Sequence, residues 1–242
     1  MSKIAFVTGG SRGIGAAIVR RLANDGATVA FTYQNSGAAA DALASEIGAA
    51  GGKALALKVD ATDAAATRAA IDDIAKRFGR LDILVNNAGV LHLGDVSELT
   101  LDDFDHTIAV NVRGVFAATQ AAVAHMKEGG RVINIGSTNA ERMPFAGGSI
   151  YAMSKSALTG LVQGLARDLG PRGITVNNVQ PGPVDTDMNP AQGDFAKSLH
   201  DLMAIRRHAR GEEIAAMVAY LASEEAAYVT GAGLNIDGGF AA

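Results

Sequence analysis

The stretch Ile4-Ala5-Phe6-Val7-Thr8-Gly9-Gly10-Ser11-Arg12-Gly13-Ile14-Gly15 decides how this chain is read. A short apolar run of strand character passes into a glycine-rich turn, and a helical pattern follows at once, Ile14–Asn24. Glycine at 9, 13 and 15 permits a tight turn. It also lets backbone N–H groups approach a pyrophosphate at the helix N-terminus, where the helix dipole favours negative charge. Ser11, Arg12 and Ile14 fill the same turn and join Gly9, Gly13 and Gly15 as candidate cofactor contacts. The spacing is Thr-Gly-x3-Gly-x-Gly, and its place directly after the first strand turns a common loop into a dinucleotide signal.

Outward from this turn, short apolar runs alternate with long Ala-rich helical stretches. The strand candidates after Ile4–Val7 are Thr28–Thr32, Ala54–Val59, Ile83–Val85, Arg131–Ile135, Thr175–Val179 and Leu234–Ile236. Most are near-continuous apolar runs, the pattern of strands covered on both faces. The helix candidates after Ile14–Asn24 are Ala38–Ala49, Asp63–Phe78, Leu101–Met126, Ser149–Leu169 and Glu212–Ala222. Gly26, Gly51-Gly52, Gly79, Gly129-Gly130 and Gly170-Pro171 stand where helices should stop. Strand–helix alternation of this kind implies parallel strands with right-handed crossovers, hence an α/β fold with a doubly wound sheet. No linker or charge block cuts the chain, so residues 1–242 read as one domain. The segment 181–210 follows a strand and carries its own turn-formers, Pro181, Gly182, Pro183 and Pro190, which suggests a substrate-binding loop.

Composition narrows the function. The 21 Lys+Arg against 25 Asp+Glu leave a net charge of −4, which argues against a nucleic-acid binder. The absence of cysteine removes disulfides, thiolate nucleophiles and Cys-based zinc sites, and no histidine pair has metal-ligand spacing. No segment reads as a signal peptide or a membrane span, so a cytoplasmic protein is expected. The 29 glycines exceed the usual share of ~7% without any Gly-X-Y period.

A cofactor with a free ribose 2′-hydroxyl calls for Asp or Glu at the end of the second strand. This chain has Tyr33-Gln34-Asn35-Ser36 there, with no acid before Asp41. Asn35 and Ser36 can donate hydrogen bonds to a 2′-phosphate, and Arg12 supplies a cation from the glycine turn. The residues therefore point to NADP(H). For the chemistry, Tyr151 and Lys155 lie four apart on a predicted helix and share a face. A lysine ammonium beside a phenol should lower its pKa from the usual ~10 and make it an acid/base near neutral pH. Ser137 ends the fifth strand at the carboxyl edge of the sheet, where doubly wound folds bind ligands. It can hold a carbonyl oxygen while Tyr151 donates its proton.

With these residues in place, the sequence resembles the short-chain dehydrogenase/reductases in their compact single-domain form. The resemblance covers essentially the whole chain: the glycine turn, Asp60, Asn86-Asn87-Ala88-Gly89, Asn111, Ser137, Tyr151-x3-Lys155 and Pro181-Gly182 follow in order. It implies a Rossmann-type seven-stranded sheet of order 3-2-1-4-5-6-7 and a homotetramer. It also implies roles. Tyr151 would be the acid/base, Ser137 would orient the carbonyl, and Lys155 would bind the nicotinamide ribose. Asn111 would kink its helix and hold a water next to Lys155. Asp60 would contact adenine, and Asn87, Ala88 and Gly89 would line the adenine-ribose side. Pro181, Gly182, Val184 and Thr186 would sit on the nicotinamide side. The residues near Ser137 and in segment 181–210, namely Leu93, Asn139, Phe145, Met188 and Phe195 together with His92, Met143, Gly148 and Met203, would suit a medium-sized hydrophobic ketone or aldehyde.

Two narrower resemblances compete. In the 3-oxoacyl thioester reductases, a basic residue like Arg172 docks an acidic carrier protein, although Lys127-Glu128-Gly129 matches that group poorly. Arg142-Met143-Pro144, Gly170-Pro171-Arg172-Gly173 and the run from Gln180 to Asp187 are more similar to bacterial cyclic-di-GMP-binding biofilm dispersal mediators. Cyclic-di-GMP is thereby a candidate ligand; Arg206-Arg207-His208-x-Arg210 reads as a solvated stretch before the Glu212 helix or as a basic cluster for a phosphate of that nucleotide or of the cofactor.

Overall fold

The computed structural model describes residues 2–242. Its seven strands form one parallel sheet of order β3-β2-β1-β4-β5-β6-β7. They are β1 Ile4–Val7, β2 Thr28–Tyr33, β3 Lys53–Lys58, β4 Ile83–Asn86, β5 Arg131–Ile135, β6 Thr175–Pro181 and β7 Gly233–Ile236. The helices are α1 Gly13–Asn24, α2 Gly37–Ala49, α3 Ala64–Phe78, α4 Leu101–Ile108, α5 Val115–His125, α6 Ser149–Leu169, α7 Asp194–His200 and α8 Gly211–Ala222. The α/β class, the strand order and the single sheet match the sequence expectation.

The continuous apolar runs are explained by two cores, one on each face of the sheet. In β1, Ala5 and Val7 enter one core with Phe31, Ile18 and Ile214. Ile4 and Phe6 enter the other with Ile71, Ala118 and Val162. Each fully buried Phe, Val or Ile contributes roughly 1.5–3 kcal/mol, so neither face can carry polar residues cheaply. The partial exceptions are the two edges: β3 and β7 are half exposed.

The structure departs from the sequence reading at three places. The expected Leu101–Met126 helix is interrupted by a π-helical stretch, Ala109–Gly114, which takes the place of the expected kink at Asn111. Helix α7 lies inside the segment read as loop; its seven residues are too few to show a period. Gly170 does not stop α6 in a left-handed turn: its φ is −53°, a 3-10 turn follows, and Gly173 at φ 68° makes the reversal. Pro171 dictates this, since its ring suits the first turn of a helix.

The helical stretch Leu101–His125 is long and apolar enough to cross a membrane, contrary to the reading that no such segment exists. Half of its most apolar window is buried inside this protein, where Ala118, Ala121 and Ala122 pack on the sheet.

Candidate functional site

The carboxyl ends of β1, β4, β5 and β6 open into one cleft of about 480 Å³. All of the predicted glycine-turn residues line it: Gly9, Ser11, Arg12, Gly13, Ile14 and Gly15. The turn is built by contact. A Cβ at Gly15 would lie 2.2 Å from the Gly9 carbonyl oxygen and 2.5 Å from Asn87 Nδ2, and one at Gly9 would lie 2.9 Å from the Ala88 Cα. Gly10, left without a role in the sequence reading, is equally constrained: its Cβ would meet Phe31 at 2.6 Å. The signal for it was the bulky residue facing it on β2, a pairing visible only once register is known.

Asn87 braces the turn. Its amide donates to the carbonyls of Thr8 and Gly9 at 3.0 and 2.7 Å, while Thr8 Oγ1 accepts from the N–H groups of Asn87 and Ala88. Asn87, Ala88 and Gly89 also line the cleft, so the brace and the wall are one feature. The N-cap of α1 is Arg12, whose side chain makes no cap hydrogen bond. It has no acceptor to offer. The first N–H groups of α1 thus remain free for a phosphate, and this uncapped end fits a dinucleotide pyrophosphate.

Tyr33, Asn35 and Ser36 line the same cleft beyond Gly13, as do Pro181, Gly182, Val184 and Thr186 on the opposite side. Thr186 closes over Gly13: a Cβ there would lie 3.3 Å from Thr186 Cγ2. Arg12 reaches across the mouth to Asp187 at 3.5 Å, with both side chains largely exposed. Asp60 is the one expected contact outside the wall. Val59 and Ala61 line the cleft, while the Asp60 carboxylate accepts from Thr62 and from Gln34. The Thr62 backbone N–H, then its hydroxyl, hold that carboxyl below the usual range.

Ser137, Tyr151 and Lys155 line the inner end of the cleft, where β5 ends and α6 begins, and Asn111 is buried behind that wall. Lys155 is 5% exposed, and Nζ donates to the Ile135 carbonyl at 2.9 Å. Asn111 donates to Val90 O and Ser154 Oγ, and its own carbonyl accepts from Val90 N. Gly89 lies against both, since a Cβ there would be 3.5 Å from Asn111 Oδ1 and from Lys155 Nζ, ordinary contact distances. The π-helical turn that carries Asn111 places its amide between these elements. Ser137 Oγ donates to Asn139 Oδ1 at 3.1 Å and accepts from Asn139 N.

One electrostatic expectation is reversed. Lys155 was expected to lower the Tyr151 pKa; instead burial pushes the phenol above its ordinary 10.0, and only the neighbouring Ser137 hydroxyl opposes it. The Lys155 Nζ lies 5.8 Å from the Tyr151 ring centroid. Burial itself lowers the Lys155 pKa from 10.5 to about 8. The consequence is a pH-dependent stability. Between pH of about 8 and 10.5 the unfolded chain holds a proton on Lys155 that the folded protein has released. Stability contributed by this group therefore rises with pH across that window. Melting temperatures measured through it should show the rise in the wild type and lose it in Lys155→Met; the same slope in both would exclude Lys155 as its source.

The substrate half is smaller than the sequence list. Leu93, Asn139, Phe145, Met188 and Phe195 line it. His92, Met143, Gly148 and Met203 do not. His92 lies against Asp103 and His106, and Met143 fills the space over Gly148, where a Cβ would come within 1.7 Å of its Cε. Met203 is buried with Leu199 and Phe240. Among the lining residues missed are Leu91, Asn189, Leu199 and Phe240, with His106 elsewhere in the cleft, and no local pattern places them there.

The basic residues singled out for phosphates or a carrier are occupied. Arg207 forms a two-pronged pair with Glu213, Arg210 lies 3.9 Å from the same carboxylate, and Arg206 lies 4.0 Å from Asp201. Arg172 donates to the carbonyls of Val123 and Met126 and so closes the end of α5.

An uncapped helix end and a glycine turn on one doubly wound sheet define a dinucleotide-binding protein, with Ser137, Tyr151 and Lys155 lining the same cleft. The comparisons with known proteins carry this further. A family described as Enoyl-(Acyl carrier protein) reductase matches residues 9–241. A cyclic-di-GMP-binding biofilm dispersal mediator protein of Escherichia coli (strain K12) is 52% identical over 240 residues, 99% of this chain and 98% of that one. The structure of a short-chain dehydrogenase/reductase from Serratia marcescens is similar at a TM-score of 0.98 with 64% identity, covering 99% of this chain and 98% of that one. A short-chain dehydrogenase from Burkholderia cenocepacia in complex with NADP has a TM-score of 0.98 and 54% identity over the same shares. The chain belongs to the short-chain dehydrogenase/reductase family, and it is an oxidoreductase of that family.

Proposed function

We propose that this protein is an NADPH-dependent carbonyl reductase that converts a ketone or aldehyde to an alcohol. The observation that carries this reading is that Ser137, Tyr151 and Lys155 line the same cleft as the phosphate cradle, with Asn111 behind them on Ser154. The NADP-bound relative supports the cofactor. Bound there, NADPH supplies the hydride. The chain supplies orientation and the proton. Ser137 Oγ turns from Asn139 to donate to the carbonyl oxygen, and Tyr151 delivers its proton to that oxygen as charge develops. A phenol pKa held high keeps the proton on Tyr151 at neutral pH, which suits reduction. Lys155 spends one N–H on Ile135 and has two left for ribose hydroxyls.

Preference for the 2′-phosphate is assigned to Arg12, Asn35 and Ser36. Arg12→Ala should raise the KM for NADPH about tenfold, the size expected for a charge-assisted bond at an exposed site, and leave that for NADH nearly unchanged. Equal changes for both cofactors would remove the role. The protein is further proposed to be a cytoplasmic homotetramer, supported by the exposed Phe104, Phe116 and Met153 on α4, α5 and α6. Sedimentation at a monomer mass would contradict the assembly.

A second reading, cyclic-di-GMP binding, is supported by the Escherichia coli relative. Arg207 is held by Glu213, and the cradle with Arg12 offers phosphate contacts, so this reading places the ligand in the cofactor cleft. Calorimetric titration with cyclic-di-GMP should then show competition with NADPH. Absence of heat at high micromolar ligand would discard this reading.

A further inference from the structure

We propose that Phe240, in the segment after β7, is a specificity-determining residue: it forms the inner wall of the substrate pocket and limits the size of the apolar group on the carbonyl carbon. This rests on the carbonyl-reductase reading of the cleft. Phe240 is 1% exposed and lines the cleft. It packs with Leu199 and Met203, with Phe145 and Leu202 at the margin, in a small cluster separate from the two main cores. In front of it, Phe145 meets Phe195 edge to face, with ring centroids 5.8 Å apart. The inner face of α7 therefore rests on Phe240, while the Phe195 ring is half exposed at the mouth.

The wall is rigid because its backbone is tied on both sides. The Asp237 carboxylate accepts from Gly239 N and Ala241 N, each at 2.9 Å. Arg142, on the loop that leaves Ser137, donates to the Phe240 carbonyl at 2.6 Å. Ile205, after α7, donates its N–H to the Gly238 carbonyl at 2.8 Å. A Cβ at Gly182 would lie 2.8 Å from the Asp237 Cα, so the nicotinamide-side turn presses on the same segment. The catalytic loop, the α7 segment and the cofactor turn thus share one anchor, and its only bulky side chain points into the pocket. Phe145, Phe195 and Leu199 make the surround of that side chain apolar, while Ser137, Tyr151 and Asn139 line the same cleft. A ketone with one polar end and an apolar body fits this arrangement.

The test compares acetophenone with 2-acetonaphthone in wild type, Phe240→Ala and Phe240→Leu, the last in case Ala does not fold. The wild type should prefer the smaller ketone. The ratio of kcat/KM should move about tenfold or more toward the naphthyl ketone in Phe240→Ala, with a smaller move in Phe240→Leu, as expected when pocket volume is added. The KM for NADPH should stay within about twofold. A ratio unchanged in folded variants overturns the proposal and leaves Phe240 a packing residue. Equilibrium binding of both ketones to the NADPH-loaded protein, followed by cofactor fluorescence, separates the two ideas. Size-dependent binding that Phe240→Ala relaxes, without turnover in the wild type, refutes the reductase reading and keeps the wall. Neither binding nor turnover of either ketone by the wild type overturns both.

Discussion

Replacement of Tyr151 by Phe should lower kcat by about 10²–10⁴-fold, the usual worth of a positioned general acid. The change removes one hydroxyl and keeps the ring. The cleft wall and the Lys155–Ile135 bond depend on the ring and the ammonium, not on the phenol oxygen. NADPH affinity and melting temperature should therefore stay close to wild type. The pH profile adds a sign. The proton donor is the neutral phenol, and burial holds its pKa above 10.0. Reduction should be level through neutral pH and decline only in the alkaline range. Stopped-flow oxidation of NADPH by the two proteins across pH decides it: wild-type-like turnover in Tyr151→Phe would sink the catalytic assignment.

The second large effect concerns Gly15. Its φ is not in the left-handed region, so its requirement is one of space, not backbone freedom. Alanine would place a methyl 2.2 Å from the Gly9 carbonyl oxygen and 2.5 Å from the Asn87 amide. Neither is the loose end of a flexible chain. The start of α1 must shift away, the Asn87 bonds to Thr8 and Gly9 must lengthen, or both. Overpacking of this kind costs roughly 1–3 kcal/mol, which in a chain of this size lowers Tm by about 2–4 °C per kcal/mol. Because the displaced N–H groups are those that would face the pyrophosphate, NADPH affinity should fall at least about tenfold. Gly48→Ala is the control: it lies in α2 with nothing within 4 Å of its Cβ, and should be neutral or slightly stabilising. Thermal melts with and without NADPH test both, and a Gly15→Ala protein that binds and melts like wild type would exclude the close-contact account.

Much of this site was legible in the chain. Gly9, Gly13 and Gly15, and Tyr151 with Lys155, announce themselves by spacing, because turn and helix geometry are local. Ser137 was legible from its place at the end of the fifth strand, whereas Asn111 became meaningful only through family resemblance; the structure puts Ser137 beside Tyr151 and Asn111 on Ser154, next to Lys155 in the chain. For Arg206, Arg207 and Arg210 the charge is visible in sequence and left a solvated stretch and a phosphate cluster both open, whereas the acids beside them are visible only in space.

The sequence by itself determined the alternation of strands and helices, the sheet's double burial and the phosphate turn, since each depends on a periodicity of 2 or 3.6 residues along one segment. Tertiary structure alone decided the rest. It set the direction of the Tyr151 pKa, because desolvation is summed over every element that packs on the phenol and is opposed only by the Ser137 hydroxyl. It removed Asp60 from the cleft wall by giving its carboxylate to Thr62 and Gln34. It filled the space at Gly148 with Met143 and brought Phe240 beneath α7. These are contacts between segments far apart in the chain, and no local pattern encodes who occupies the space between them.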